Sequence, residues 1–313
     1  MSARPTVLIY ARGAADYQAI LERFGTPARL LAASDPASAE RLAPEADILF
    51  SWRFPRELYA KAPRLRWVQC MGAGVEDIVA AELPRGVLVT RIVDQFGGMI
   101  AEYVFAELLA RARRSDVLGA QQRERRWQHL VAGTLAGSCM GVAGLGSVGK
   151  EIVRKARAFD MRVYGMSRPD GALDLVDRAF EAGAWTDFVR DLDVLVLTLP
   201  LTAETEGSVG REVFRAMRPT ATVVNVGRGK VVREAELIAA LEAGEIGGAV
   251  LDVFEREPLP QESPLWSMPG VTVTPHVAGP SLDEDVARFF HENLERYLAA
   301  RPLVGVVDRR QGY

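Results

Sequence analysis

Met140-Gly141-Val142-Ala143-Gly144-Leu145-Gly146-Ser147-Val148-Gly149 is the stretch that decides the architecture. Its first four residues continue an apolar strand that begins at Cys139, and 150–159 reads as a helix. Gly144 to Gly149 therefore form a G-x-G-x-x-G turn from strand into helix, the context that gives this motif its meaning. The first glycine permits the tight turn, the second lets a pyrophosphate approach the backbone, and the third lets helix and strand pack closely. The N–H groups that open the helix then point at the phosphates. The competing reading of the same residues is a plain glycine-rich turn.

Outward from this turn the pattern repeats. Downstream, apolar strands are expected at 162–166, 194–199, 222–226, 248–253 and 271–274. With 139–143 that makes about six, enough for a doubly wound dinucleotide domain. Upstream, strands at 6–10, 28–31, 48–52, 65–70 and 86–90 alternate with helical stretches near 16–24, 36–42 and 55–61, which predicts a second parallel sheet. Between the two series, 99–114 reads as a long helix with small and apolar residues around most of its surface, so burial on several sides is expected. A helix at 282–300 and a strand at 303–307 close the chain.

Length and composition agree. The 313 residues are about twice the usual domain size, and 49% hydrophobic with 25% charged excludes disordered, collagen-like and coiled-coil chains. A net charge of −3 and a pI near 5.8 make a poor platform for a nucleic-acid backbone. The arginines between 111 and 126 are interleaved with Asp116 and Glu124 and read as a solvated or intersubunit face. No apolar run reaches the roughly 18 residues of a membrane span. The run 6–10 is too short for a signal peptide, so a soluble cytoplasmic protein is expected. Cys70 and Cys139 are the only cysteines, and no Cys/His spacing suits zinc, so no metal is expected.

Cofactor choice is read at the end of the second strand of the dinucleotide domain. An NAD site places a carboxylate there for the ribose 2′-OH; here stand Ser167 and Arg168, which suit a 2′-phosphate. Asp170 lies close enough to keep NADH open, so NADPH is favoured and NADH remains possible.

Three further segments follow strands and converge on the carboxyl edge of the sheet. In Asn225-Val226-Gly227-Arg228-Gly229, an arginine flanked by glycines offers a planar fork to a carboxylate. In 251–258, Asp252 ends an apolar strand and Glu257 follows. In Thr274-Pro275-His276-Val277-Ala278-Gly279, a histidine again follows a strand. Each residue alone has a bland reading, as a turn arginine or a packing histidine. Together, downstream of a G-x-G-x-x-G turn, they are far less accidental.

On GLGSVG (144–149), NVGRGKVV (225–232), LDVFEREPLP (251–260) and TPHVAG (274–279), the chain resembles the D-isomer-specific 2-hydroxyacid dehydrogenases along nearly its whole length. Within them it is most similar to the bacterial glyoxylate/hydroxypyruvate reductases. The resemblance implies an α/β fold of two doubly wound parallel-sheet domains. Residues 1–97 and 283–313 would form a flavodoxin-like substrate-binding domain, and 98–282 a Rossmann NAD(P)-binding domain. It implies Arg228, Glu257 and His276 as the catalytic set, with Val226 and Asp252 among the cofactor contacts, Asp252 at the nicotinamide. Met71, Gly72, Ala73 and Gly74 match a substrate loop whose N–H groups grip a carboxylate, and glycines there suit an anion nest. Trp52 matches a residue lining the pocket. The implied reaction is hydride transfer from the nicotinamide to a small 2-keto acid. Arg228 would bind the substrate, His276 would act as general acid, and Glu257 would favour the charged imidazole. A homodimer built on the helix from Met99 and the 119–139 segment is implied as well. Two alternatives stand beside this reading. One is another D-2-hydroxy acid, such as 3-phosphoglycerate with Arg53 and Arg56 as extra cations, or a bulkier substrate. The other is a nucleotide-sensing protein like the corepressors that this family also resembles.

Overall fold

The computed structural model describes residues 4–168 and 172–308, so Asp170 lies outside the described residues. The chain divides into two compact units, Met1–Gln95 with Ser281–Tyr313, and Phe96–Pro280.

In the first unit, β1 (Thr6–Tyr10), β2 (Arg29–Ala33), β3 (Ile48–Ser51), β4 (Trp67–Cys70) and β5 (Leu88–Thr90) form one sheet in the order β2-β1-β3-β4-β5. Every pairing is parallel, and the order is the flavodoxin-like doubly wound one. β3 and β4 are buried at every position, as a sheet covered on both faces requires. Helix Asp283–Leu298 belongs to this unit, and its Phe290 stacks on Phe50 and on Trp67. The stretch 55–61 forms a short 3₁₀ run, Arg56–Lys61, in place of the expected α-helix. Nor does a strand form at 303–307, where among the described residues the ladder contact is a single antiparallel bridge between Thr90 and Val306. Gly305 is the cause: it takes φ +72° and sits so close to Arg91 that a Cβ would lie 2.2 Å from that carbonyl oxygen, which breaks the extended run.

In the second unit, β6 (Cys139–Ala143), β7 (Arg162–Ser167), β8 (Arg178–Glu181), β9 (Val194–Leu197), β10 (Thr222–Asn225), β11 (Gly248–Leu251) and β12 (Val271–Val273) form a parallel sheet ordered β12-β11-β10-β9-β6-β7-β8. β8 is one strand more than the sequence suggests. It is an edge strand with a single buried residue, Phe180, so no apolar run marks it. Strand order reverses between β6 and β9, and the loops leaving β6, β7 and β9 to β12 all emerge at the carboxyl edge. Helix Gly97–Ala112 buries Ala101, Val104, Phe105 and Leu108 in one core with Ile152, Val153 and Ala156 of helix Ser147–Ala158. Phe188, Phe214 and Leu237 fill the core on the other face. Beyond helix Gly97–Ala112, Ser115–Arg123 is helical as well, and Arg114 at φ +52° makes the corner into it.

Among the described residues, no helix is long and apolar enough to cross a membrane, and no three His, Cys, Asp or Glu side chains gather as metal ligands would.

Candidate active site

The glycine turn has the geometry of an anion cradle. Gly144 takes φ +99°, and its N–H donates to Met166 O at 2.9 Å. The Thr198 hydroxyl donates to the Gly144 and Ala143 carbonyls at 2.7 and 3.1 Å, which ties the turn to the end of β9. Gly149 lies so near the turn that a Cβ would be 2.0 Å from Gly144 O, whereas a Cβ on Gly146 would meet nothing within 4 Å. Gly146 is also the N-cap of helix Ser147–Ala158, with no side-chain cap and no acid in the first turn. The helix thus opens with unscreened N–H groups beside an empty approach, the arrangement that a pyrophosphate uses. A dinucleotide therefore fits. Leu145 is buried in the core and Val148 half-buried, while Ser147 is exposed. At the end of β7, Ser167 is half-buried and Arg168 exposed. The Glu204 carboxyl on the loop after β9 is held below the usual range by the Thr202 hydroxyl first, and the Arg168 charge adds to this.

The loops after β10, β11 and β12 are neighbours because their strands are. The buried Asn225 side chain braces the first: its Oδ1 accepts from Gly227 N and its Nδ2 donates to Arg228 O, both at 3.1 Å. Arg228 is half-buried, and its guanidinium donates to Gly227 O at 2.8 Å. Val226 before it is buried.

Asp252 is 2% exposed and gives both carboxylate oxygens to the third loop. Oδ1 accepts from Thr274 Oγ1 (2.6 Å) and Val277 N (2.8 Å), and Oδ2 accepts from Ala278 N (2.9 Å). The Tyr103 hydroxyl meets Thr274 Oγ1 at 2.7 Å, and burial pushes the phenol up to about 12. These bonds hold His276 at φ +55°, a left-handed conformation that costs a non-glycine residue about 1–2 kcal/mol. His276 Nδ1 then faces Glu257 Oε2 at 2.8 Å, while Glu257 Oε1 accepts from Phe254 N at 3.2 Å. The pair is 56% and 35% exposed, where an ion pair contributes at most about 1 kcal/mol to stability. Its value is orientation. With Nδ1 engaged by a carboxylate, Nε2 is the nitrogen left to exchange a proton.

In the first unit, the loop after β4 packs against Trp52, since a Cβ on Gly72 would lie 2.6 Å from the indole Cζ3. Met71 is fully buried and its N–H donates to Ser51 O. Among the described residues, the N–H groups of Gly72, Ala73 and Gly74 donate to no other protein group. Arg53 and Arg56 both lie against Asp77. Asn225, Thr198, Thr274 and Tyr103 escaped the sequence reading; a polar residue closing an apolar strand, as Asn225 and Thr274 do, is the signal that could have marked two of them.

Residues 105–278 match the NAD-binding domain of the D-isomer-specific 2-hydroxyacid dehydrogenases. The chain belongs to this family. A glyoxylate/hydroxypyruvate reductase A from Yersinia enterocolitica is 34% identical over 275 residues, covering 86% of this chain and 88% of the relative. Among solved structures, a D-isomer-specific 2-hydroxyacid dehydrogenase family protein from Aeromonas salmonicida superposes with a TM-score of 0.91 at 35% identity, covering 98% of this chain and all of that one. The NADPH-dependent glyoxylate/hydroxypyruvate reductase of Sinorhizobium meliloti, solved with NADP and sulfate, gives 0.90 at 30% identity, covering 99% of this chain and all of that one. As a 2-hydroxyacid dehydrogenase, the chain is an oxidoreductase with a nicotinamide-dinucleotide domain.

Proposed function

We propose that the chain reduces a small 2-keto acid of the glyoxylate or hydroxypyruvate type to the D-2-hydroxy acid, preferring NADPH to NADH. The observation that carries the reading is the 2.8 Å contact of His276 with Glu257 at the sheet edge where Arg228 also emerges. The 144–149 turn would hold the pyrophosphate, Ser167 and Arg168 the 2′-phosphate, and Val226 and Asp252 would stand toward the nicotinamide. When bound, the reduced nicotinamide supplies hydride to the keto carbon. Arg228 pairs with the substrate carboxylate and keto oxygen, which orients the substrate and polarises the carbonyl. His276 gives the Nε2 proton to that oxygen as charge develops on it. Glu257 keeps the ring aimed through its 2.8 Å contact with Nδ1. In the first unit, the N–H groups of 72–74 suit a carboxylate, and Trp52 packed against Gly72 would restrict the size of a group bound there. The names of the Yersinia and Sinorhizobium relatives support the substrate class, and the latter also supports the cofactor. The chain is proposed to pair with a second copy through helix Gly97–Ala112 and the 119–139 segment. Trp127 and Val131 stand almost fully exposed there, and light scattering would report twice 34.2 kDa.

The test is initial-rate oxidation of NADPH and NADH, each with glyoxylate and hydroxypyruvate. NADPH-dependent turnover that His276→Ala abolishes, with cofactor binding kept, is the expected result. Turnover surviving in that variant overturns the catalytic assignment. Turnover only with phosphorylated or bulkier keto acids moves the substrate class.

A further inference from the structure

The Arg228 loop and the Glu257 loop are fastened together by two acids outside the reacting set. Helix Glu234–Glu242 has Arg233 as its N-cap, which supplies no side-chain cap. The acceptor comes from the other loop: Glu255 Oε1 accepts the Glu234 N–H at 2.8 Å, and Glu234 Oε2 accepts the Glu255 N–H at 3.3 Å. The exchange has the logic of a capping box shared between two chain segments, and the helix dipole favours a carboxylate at that end. Beside it the backbones touch, since a Cβ on Gly229 would lie 1.9 Å from the Phe254 carbonyl carbon. Phe254 N–H in turn holds Glu257 Oε1. Any slip of 254–255 therefore changes the aim of Glu257 at His276.

We propose that Glu234 and Glu255 are positioning residues, a reciprocal clasp that registers the Glu257 loop against the Arg228 loop and so aims His276. The inference rests on the reductase reading above. Burial pushes the Glu234 carboxyl up from the usual carboxylate range, and the bond from Glu255 N–H opposes that rise. An amide at position 255 would keep the acceptor for Glu234 N–H, whereas alanine removes it.

The experiment compares Glu255→Ala with Glu255→Gln. In Glu255→Ala, kcat is expected to fall roughly three- to thirtyfold, short of the hundredfold that a 1 Å misplacement can cost. KM for the dinucleotide stays unchanged, and Glu255→Gln recovers most of the rate. A downfield proton signal from His276 Nδ1–H, assigned by its loss in His276→Gln, weakens in the alanine variant and returns in the glutamine one. An unchanged rate and signal in Glu255→Ala, or a glutamine variant as impaired as the alanine one, overturns the clasp. If the wild-type protein reduces no 2-keto acid, the reductase reading fails, and the proton signal still decides the clasp. Should Glu255→Ala not fold, Glu234→Ala removes the other half of the exchange and is judged by the same two readouts.

Discussion

Replacing Gly146 by alanine should separate two tasks that the glycine turn combines. Gly146 has φ −73°, which alanine adopts readily, and its new methyl would meet nothing within 4 Å. Two small effects on folding oppose each other. Gly→Ala at a compatible φ stabilises by about 0.4–1 kcal/mol through the unfolded chain, while alanine is the poorer N-cap by a similar amount. The melting temperature is therefore expected to stay within about 3 °C of wild type. Binding is different, because the methyl fills the approach that a pyrophosphate needs. Forcing a methyl into an occupied space costs about 1–3 kcal/mol, a rise in NADPH Kd of roughly five- to 150-fold. Gly149→Ala is the counterpart. Its Cβ would lie 2.0 Å from Gly144 O, where real contacts essentially never fall below 3.0 Å, so strand and helix must part by at least 1 Å. There both Kd and melting temperature should suffer, the latter by roughly 3–10 °C. Fluorescence titration with NADPH and thermal melts of both variants decide the matter. A Gly146→Ala protein that binds NADPH as tightly as wild type, or that melts as early as Gly149→Ala, refutes the reasoning.

Arg168→Ala should lower the NADPH-to-NADH ratio of kcat/KM by roughly tenfold or more, the worth of a charge-assisted hydrogen bond, with the NADH rate preserved; an unchanged ratio removes Arg168 from cofactor choice. Asp252→Asn turns an amide N–H₂ toward donors that now meet oxygen and loosens the left-handed His276 turn, so kcat should drop roughly ten- to hundredfold along with a lower melting temperature. Full activity in that variant would leave Asp252 without a positioning role. Asp177 is held below the usual carboxylate range by Val163 N–H first and then by Arg157. Its folded value lies below its unfolded one, so its contribution is present above about pH 4 and is lost as pH falls through the folded value. The melting temperatures of wild type and Asp177→Asn should differ at neutral pH and converge in acid, and a gap that persists at pH 2 contradicts this.

What the sequence made legible follows from where each signal is stored. Central strands such as Val194–Leu197 are apolar at every position because helices cover both faces, so a short window reveals them. The turn at 144–149 is legible because close approach leaves no residue but glycine at position 149. Arg228, Glu257 and His276 stand out as chemically equipped residues just past strand ends. The edge strand Arg178–Glu181 was not visible, since one buried residue in four makes no pattern. Nor was the break at Gly305, which comes from contact with Arg91 rather than from local preference. The braces of the site were hidden for the same reason. Thr198 reaches back to Gly144, and Tyr103 reaches Thr274 across 171 residues of sequence, so neither partner appears in the other's window.

The sheet order has a consequence for how this molecule can be altered. Arg168 follows β7, whereas Arg228, Glu257 and His276 follow β10, β11 and β12, with β6 and β9 between the two groups. Three strand spacings amount to about 14 Å, beyond the distance at which substitutions usually couple. Substitutions at 167–168 and at the edge of β10 to β12 are thus too far apart to couple through direct packing, so any departure from additivity between them reports a ligand that both ends hold.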